Sequence, residues 1–378
     1  MTAVTRVCVR LPGPVAPLYH SVLISPIPRR GIVVTVSEPP PGAPAPRIAV
    51  VGCGAIARLM HLPALVRHPE VASRLVLVDR HGQRARELAT EFGVARTAED
   101  YADVLSDVDG VIVTVPHALH HRISMDCLRA RKHVLCEKPL AESPDEAREM
   151  IAAAASAGVT LSANHLMRLY PVNRKIKQLI HDGAIGRLAR IQFAWGEKFE
   201  WPAASGFYFG GGKAHGVLVD KGPHFLDIVC WWLGGRPEVV SVRDDSFGGG
   251  EAQMSLTLRM GDCTVDGEFS FLTRYSNRFV LEGDEGRIEG SLYDFQSLEL
   301  VDRHGARRRI KAESPTTDIS EFGNLMIDNF LDVVRGAARP AVSGADVLDS
   351  VALIDDCYAH RTRYVMPWHD AWRRVANA

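Results

Sequence analysis

Two short segments carry residue types that can move a proton. Glu137-Lys138-Pro139 directly follows the apolar run His133-Val134-Leu135-Cys136. It therefore stands at the carboxyl end of a buried strand, the edge where ligands of open α/β sheets gather. The second segment, Asp220-Lys221-Gly222-Pro223-His224-Phe225-Leu226-Asp227, combines acid, glycine and histidine. Pro223 suits the first turn of a helix over Pro223–Leu233, which would hold His224 near the positive end of the helix dipole. That end disfavours imidazolium, and Lys221 would add to the effect. A neutral imidazole is what a base needs to take an alcohol proton. Asp220, four residues earlier, could orient the ring or pair with Lys138. Taken singly, each has a plain structural reading: a surface lysine, a helix-terminal histidine and an N-cap.

A third segment offers a cradle for phosphates. Gly52-Cys53-Gly54-Ala55-Ile56-Ala57 is G-x-G-x-x-A, placed after the apolar run Arg47–Val51 and opening a helix over Ala55–His68. That context gives the pattern its meaning. Gly52 permits the tight turn, Gly54 lets a pyrophosphate reach the backbone, and Ala57 allows close helix–strand packing. Free N–H groups at the helix start then face the phosphates. Asp79 ends the second strand, Leu75–Val78, where a carboxylate accepts from ribose hydroxyls and repels a 2′-phosphate. This favours NAD, while Arg80 beside it keeps NADP open.

These segments need a scaffold, and the hydrophobic pattern supplies one. From Arg47 to Ser162, apolar runs of four to six residues alternate with helical stretches, the mark of a parallel sheet covered on both faces. Ser143-Pro144-Asp145-Glu146 opens one helix as cap, proline and first-turn acid. Thr97-Ala98-Glu99-Asp100 resembles a capping box opening a short helix. Beyond Arg168 the texture changes to consecutive strand-like pieces between Val239 and Lys311, closed by helices over Ile319–Arg335 and Asp346–Tyr364. The expected fold is an α/β N-terminal Rossmann domain plus an α+β C-terminal domain with a large, mainly antiparallel open sheet. The expected boundaries are a flexible proline-rich tail at 1–46, a dinucleotide-binding domain at 47–166, and a catalytic and oligomerisation domain at 167–378.

Bulk properties narrow the partners. The 378 residues carry a net charge of −1, which gives no electrostatic reason to expect nucleic acid or an anionic membrane. No apolar run reaches spanning length. Seven scattered cysteines without C-x-x-C fit a reducing cytoplasm better than a disulfide framework. His117 and His121 share a helical face, but no acid or cysteine is spaced to complete a zinc site, so no metal is expected.

The chain resembles the glucose–fructose oxidoreductase / inositol dehydrogenase / MocA (Gfo/Idh/MocA) family. The resemblance rests on four segments in order: the glycine motif at 52–57, Val115-Pro116-His117-Ala118-Leu119-His120, Lys132 through Leu140 with its Glu137-Lys138-Pro139, and Gly216 through Asp227 with its D-x-G-x-H-x-x-D. It covers essentially residues 47–370, and the last segment is nearest the inositol dehydrogenase pattern. The family implies Lys138 on the reacting oxygen, His224 as acid/base and Asp220 tuning both. It implies that Thr114, Pro116, His117, His120 and Glu137 line the cofactor with Lys138, and that Pro139 shapes the turn through a cis bond. His117 replaces the usual asparagine, and Lys221 is an uncommon neighbour. Arg168, Trp201, Tyr208, His215, Asp220 and His224 are the substrate-side candidates, the aromatics suiting a sugar ring. The implied activity is hydride transfer between NAD, or NADP, and a secondary alcohol carbon of a polyol, sugar, cyclitol or nucleotide sugar, by a homodimer or homotetramer. A glycosidase that keeps NAD bound and a cofactor-sensing regulator are the alternatives.

Overall fold

The computed structural model describes residues 45–202, 215–246, 250–314, 316 and 318–365. The expected tail at 1–46 lies almost wholly outside them, as does Tyr208.

Six short strands form a parallel sheet in the order β3-β2-β1-β4-β5-β6. They are β1 (Ile48–Val51), β2 (Val76–Val78), β3 (Arg96–Ala98), β4 (Gly110–Val113), β5 (His133–Cys136) and β6 (Leu161–Ala163). The order reverses between β1 and β4, which opens a crevice at their carboxyl ends. Helices α1 (Leu62–Leu65), α2 (Pro69–Ala72), α3 (Gly82–Phe92), α4 (His120–Arg129) and α5 (Pro144–Ala157) connect them. Ser143 caps α5 as expected, its hydroxyl accepting from Glu146 N–H at 3.2 Å.

The expected helix over Ala55–His68 is more irregular than its spacing suggests. Ala57–His61 forms a π-turn, α1 follows it, and the chain breaks before α2. Pro63 has no N–H for the i−4 carbonyl, and a widened turn accommodates that loss. The expected capping box at Thr97 is also absent. Arg96–Ala98 pairs with β2 as an edge strand, and Asp100 accepts the Ala102 N–H at 2.9 Å ahead of a 3₁₀ turn.

The second sheet has nine strands in the order β14-β13-β12-β11-β7-β10-β9-β8-β15. They are β7 (Leu188–Gly196), β8 (Glu238–Asp244), β9 (Gln253–Met260), β10 (Cys263–Ser270), β11 (Arg278–Gly283), β12 (Gly286–Ser291), β13 (Ser297–Asp302), β14 (Arg307–Lys311) and β15 (Arg361–Arg363). Only the β7–β10 and β8–β15 pairs are parallel. Helices α6 (Pro171–His181), α7 (Val217–Leu233), α8 (Ser320–Val334) and α9 (Leu348–Ala359) complete this half. Phe225 of α7 sits on the sheet against Phe193 and Phe279, with Trp232 edge-on. Phe193 and Phe279 lie across from Gly267 and Gly290, where any Cβ would strike the ring. Those glycines let the rings lie flat on the sheet beneath α7.

α7 starts six residues earlier than expected, at Val217 rather than Pro223. Its first N–H groups are satisfied from far along the chain: Val217 N–H donates to the Glu251 carbonyl at 2.8 Å, and Leu218 N–H to Glu251 Oε1 at 2.9 Å. Gly216, at φ +107°, passes beneath that carboxyl where a side chain could not. Pro223 therefore lies inside the helix. Among the described residues, no helix is long and apolar enough to cross a membrane, and no three histidine, cysteine or acidic side chains are grouped to hold a metal.

Candidate functional site

α7 presents two faces. Phe225 and its neighbours pack on the sheet, while Asp220, His224 and Asp227, at i, i+4 and i+7, form a polar stripe on the other side. Each end of the stripe meets a cation from another element. At one end Lys138, just past β5, donates from Nζ to Asp220 Oδ1 at 2.8 Å and to the Asp220 carbonyl at 2.9 Å. At the other, Arg168 places Nε and Nη2 on the two oxygens of Asp227 at 2.7 and 2.8 Å, with His165 3.3 Å away. The Lys138–Pro139 bond is cis.

The electrostatics follow from this layout. Burial pushes the Asp220 carboxyl up, but the charge and hydrogen bond of Lys138, with Lys221 and His224, outweigh it and hold the group below the carboxylate range. His224 is pushed down to about 3, first by burial and then by the charge of Lys138, with Asp220 opposing. The ring is thus neutral as expected, but burial and Lys138 are the causes rather than the helix dipole and Lys221. His224 lies two turns into α7, beyond reach of the helix start. Lys221, expected to help depress it, is instead committed to Glu197 at 2.7 Å. The imidazole lies 5.9 Å from the Trp195 ring, centre to centre.

The dinucleotide half fits the group its motif implies. A Cβ on Gly52, at φ +105°, would strike the Thr114 carbonyl, whereas one on Gly54 would point into open space. Gly52 is required by the turn, and Gly54 leaves the approach to a phosphate clear. Asp79 braces this turn, accepting Cys53 N–H at 2.9 Å and His81 N–H at 2.8 Å. Its remaining lone pairs stay available for ribose hydroxyls. Ala55, Ile56 and Ala57 begin the following helix, and Arg80 is exposed beside Asp79.

Several expected cofactor-lining side chains turn inward. Thr114 donates its hydroxyl to the Gly52 carbonyl at 2.6 Å, tying β4 to the glycine turn. Pro116 precedes a 3₁₀ turn at His117–Leu119, and His117 is buried against His120. His120 is fully buried, with Nδ1 2.7 Å from the Pro139 carbonyl and Nε2 2.9 Å from that of Val115. Burial pushes its pKa down despite both carbonyls, so a neutral ring donates one bond while stapling the two turns together. One ring nitrogen thus hydrogen-bonds a backbone carbonyl and the other lies beside the second, within the turns that the family resemblance places along the cofactor. Glu137 is also buried. It meets His61 Nε2 at 2.7 Å, accepts from Asn164 Nδ2 at 2.6 Å, and takes the Lys138 N–H at 3.1 Å. Burial would raise its pKa, but His61, Asn164 and Lys138 bring it down to about 2. His61 and Asn164 escaped the sequence reading, since neither sits in a pattern that signals such a pairing.

The substrate-side candidates divide. Asp220 and His224 share the stripe. Arg168 was expected to face substrate, but its fork is bound to Asp227 and it is largely buried. Trp201 is exposed, and His215 lies two residues before the start of α7, its carbonyl accepting from Tyr358 Oη at 3.3 Å.

Two family models match the chain. Residues 46–165 fit an oxidoreductase family with an NAD-binding Rossmann fold, and residues 173–289 fit the GFO/IDH/MocA C-terminal domain. The chain belongs to the Gfo/Idh/MocA family. Among its relatives, a 1,5-anhydro-D-fructose reductase of Ensifer adhaerens is 28% identical over 81% of this chain and 93% of that one. A dTDP-3,4-didehydro-2,6-dideoxy-alpha-D-glucose 3-reductase of Actinomadura kijaniata is 30% identical over 66% of this chain and 76% of that one. Among solved structures, a 3-ketoreductase from Actinomadura kijaniata, crystallised with NADP and TDP-benzene, superimposes with a TM-score of 0.71 at 24% identity, covering 85% of this chain and all of that one. This Gfo/Idh/MocA member is therefore an NAD(P)-binding oxidoreductase.

One buried carboxyl of this family member gives a pH prediction. Glu251 is 1% exposed at the start of α7 and faces Asp244 from β8, Tyr358 from α9 and Arg361 from β15. Burial pushes its pKa up to about 7, hydrogen bonds from Leu218, its own N–H and Tyr358 opposing. A folded-state pKa above the unfolded one means stability present at low pH is lost as pH rises through 7. Glu251→Gln, which keeps an acceptor for Leu218 but stays neutral, is expected to raise Tm at pH 8.5 and to change it little at pH 5. Melting curves at both pH values check this; a Tm difference of equal size at the two would contradict it.

Proposed function

We propose that the protein is an NAD(P)-dependent dehydrogenase or reductase moving hydride between the nicotinamide and a secondary alcohol carbon of a sugar, cyclitol or nucleotide sugar. One observation carries this reading. Lys138, locked to Asp220, and the neutral ring of His224 one turn further along the same helix stand past the carboxyl end of β5, in the sheet that also carries the glycine turn. The relatives' names, sugar and nucleotide-sugar reductases, support the substrate class.

When bound, the nicotinamide supplies the hydride-exchanging carbon. The chain's own residues handle the proton and the charge. In the oxidative direction a ring nitrogen of His224 takes the hydroxyl proton. Lys138 Nζ donates to the oxygen as negative charge develops on it. Asp220 fixes Nζ in place and keeps it charged. Arg168 and Asp227 hold the far end of the stripe, so α7 cannot roll about its axis.

Asp79 favours NAD over NADP, and the inward Thr114, His120 and Glu137 shape the turns around the cofactor. The family resemblance supports a homodimer or homotetramer, and the cysteines among the described residues, all buried and free, fit a cytoplasmic setting. The deciding test is a screen of free sugars, inositols and nucleotide sugars with NAD and with NADP, following absorbance of the reduced cofactor. Turnover of at least one alcohol is expected. Cleavage of an aryl glycoside without net reduced cofactor, or tight NAD binding without any turnover, would replace this reading. In the same assay Asp79→Ser is expected to erode the NAD preference by roughly tenfold, the worth of one hydrogen bond to a charged group. An unchanged NAD/NADP ratio would remove Asp79 from the site.

A further inference from the structure

Lys221 has no role in the proton chemistry, yet it is 5% exposed and sits beside Asp220. Burying a lysine is costly unless its charge is compensated, and here three side chains do so, closing a ring with it. Lys221 Nζ donates to Glu197 Oε1 at 2.7 Å. Tyr293 Oη donates to Glu197 Oε2 at 2.9 Å and accepts from Trp195 Nε1 at 3.0 Å. Lys221 Nζ closes the ring by lying 4.6 Å from the centre of the Trp195 indole, within cation–π range. The members come from three segments: Lys221 from α7, Trp195 and Glu197 from the end of β7 and the residue after it, and Tyr293 from the turn after β12.

The ring fixes one plane. Trp195 is anchored at its N–H by Tyr293 and held on its face by Lys221, and the same indole stands 5.9 Å from the His224 imidazole. Tyr293 is 45% exposed, so the assembly reaches solvent beside the reacting side chains. We propose that this ring is a specificity wall: Trp195 offers a rigid aromatic edge and face to the C–H face of a cyclic substrate while His224 addresses one of its hydroxyls, with Lys221, Glu197 and Tyr293 as positioning residues. A rigid wall selects a rigid ring. A pyranose or cyclitol presents its C–H groups on one side without loss of freedom, whereas an open-chain polyol must first be ordered. Glu197, 42% exposed at its side chain, keeps lone pairs free for hydroxyls at the rim. The proposal deepens the dehydrogenase reading and rests on it.

The test uses the full-length protein with saturating cofactor and two probe sets: myo-inositol and D-glucose as rings, D-sorbitol and glycerol as open chains. In Lys221→Met and Trp195→Leu, KM for the rings is expected to rise roughly tenfold, the size of one aromatic contact. Their kcat should stay within about threefold, since no proton-transfer group is lost. The ring-to-chain preference should fall accordingly. Lys221→Arg should restore much of it, because guanidinium also stacks on indole. Should Lys221→Met fail to fold, Glu197→Gln breaks the same ring and is read in the same way. Quenching of tryptophan fluorescence by the rings should weaken in parallel. Turnover in which the ring-to-chain preference and KM survive all these changes overturns the wall but leaves the dehydrogenase reading standing. Failure of the unaltered protein to oxidise or bind any sugar, cyclitol or nucleotide sugar overturns both.

Discussion

Replacing His224 by alanine is expected to lower kcat by roughly 10²–10⁴-fold, the usual worth of a positioned acid/base group, with a much smaller change in KM. The reasoning starts from where the ring lies. Burial and the charge of Lys138 push its pKa down to about 3, so the free ring is neutral throughout the physiological range and ready to accept a proton. Oxidation should therefore show no acid limb from His224 between pH 5 and 8. Reduction needs the protonated ring, so its rate should climb as pH falls over that range. A second readout separates this role from simple packing. A histidine with a folded-state pKa below its unfolded value loses stabilisation as pH falls from about 6.5 towards 3. The alanine variant lacks that term, so its Tm should drop less between pH 7 and pH 4.5 than that of the unaltered protein. Stopped-flow rates and melting curves on the two proteins check both. Unchanged kcat would remove His224 from the chemistry.

The second large effect belongs to Lys138. Lys138→Met takes away the donor to the reacting oxygen, and loss of one such donor typically costs about 10²–10³ in rate. It also strands Asp220, whose side chain is 21% exposed and otherwise paired at 2.8 Å. Breaking a buried pair from one side costs up to about 3–5 kcal/mol, reduced here by partial exposure. The two consequences can be separated. Asp220→Asn added to Lys138→Met removes the stranded charge, so stability should recover while the rate stays low. Rate recovery in the double variant would show that Lys138 acts only by neutralising Asp220.

How far the sequence carries depends on where each group finds its partner. The glycine turn, Asp79 and Glu137-Lys138-Pro139 were legible because each sits at the end of an apolar strand, and strand ends in a parallel sheet converge on one crevice. The start of α7 was not. Pro223 gave a sound local signal for a helix beginning, but the true start is satisfied by Glu251, more than thirty residues later, and no local pattern announces a cap from that distance. His120 and Glu137 were expected at the cofactor because the family resemblance implies it. Their side chains turned inward, since Pro139, Val115, His61 and Asn164 offered buried partners. Arg168 was placed among the substrate-side residues, and only the folded chain shows its fork bound to Asp227. The fold came through more fully than the site because periodicity reports burial, whereas site chemistry depends on contacts distant in the chain.

The spacing of Asp220, His224 and Asp227 constrains how this protein can change over time. A residue added between Asp220 and His224 would rotate everything beyond it by about 100°, swinging Phe225 off the sheet and breaking alignment with the two cations at once. Surface connections can lengthen or shorten freely, but α7 tolerates only exchange of one side chain for another. Homologues that act on other molecules should therefore differ along this helix by substitution and never by length.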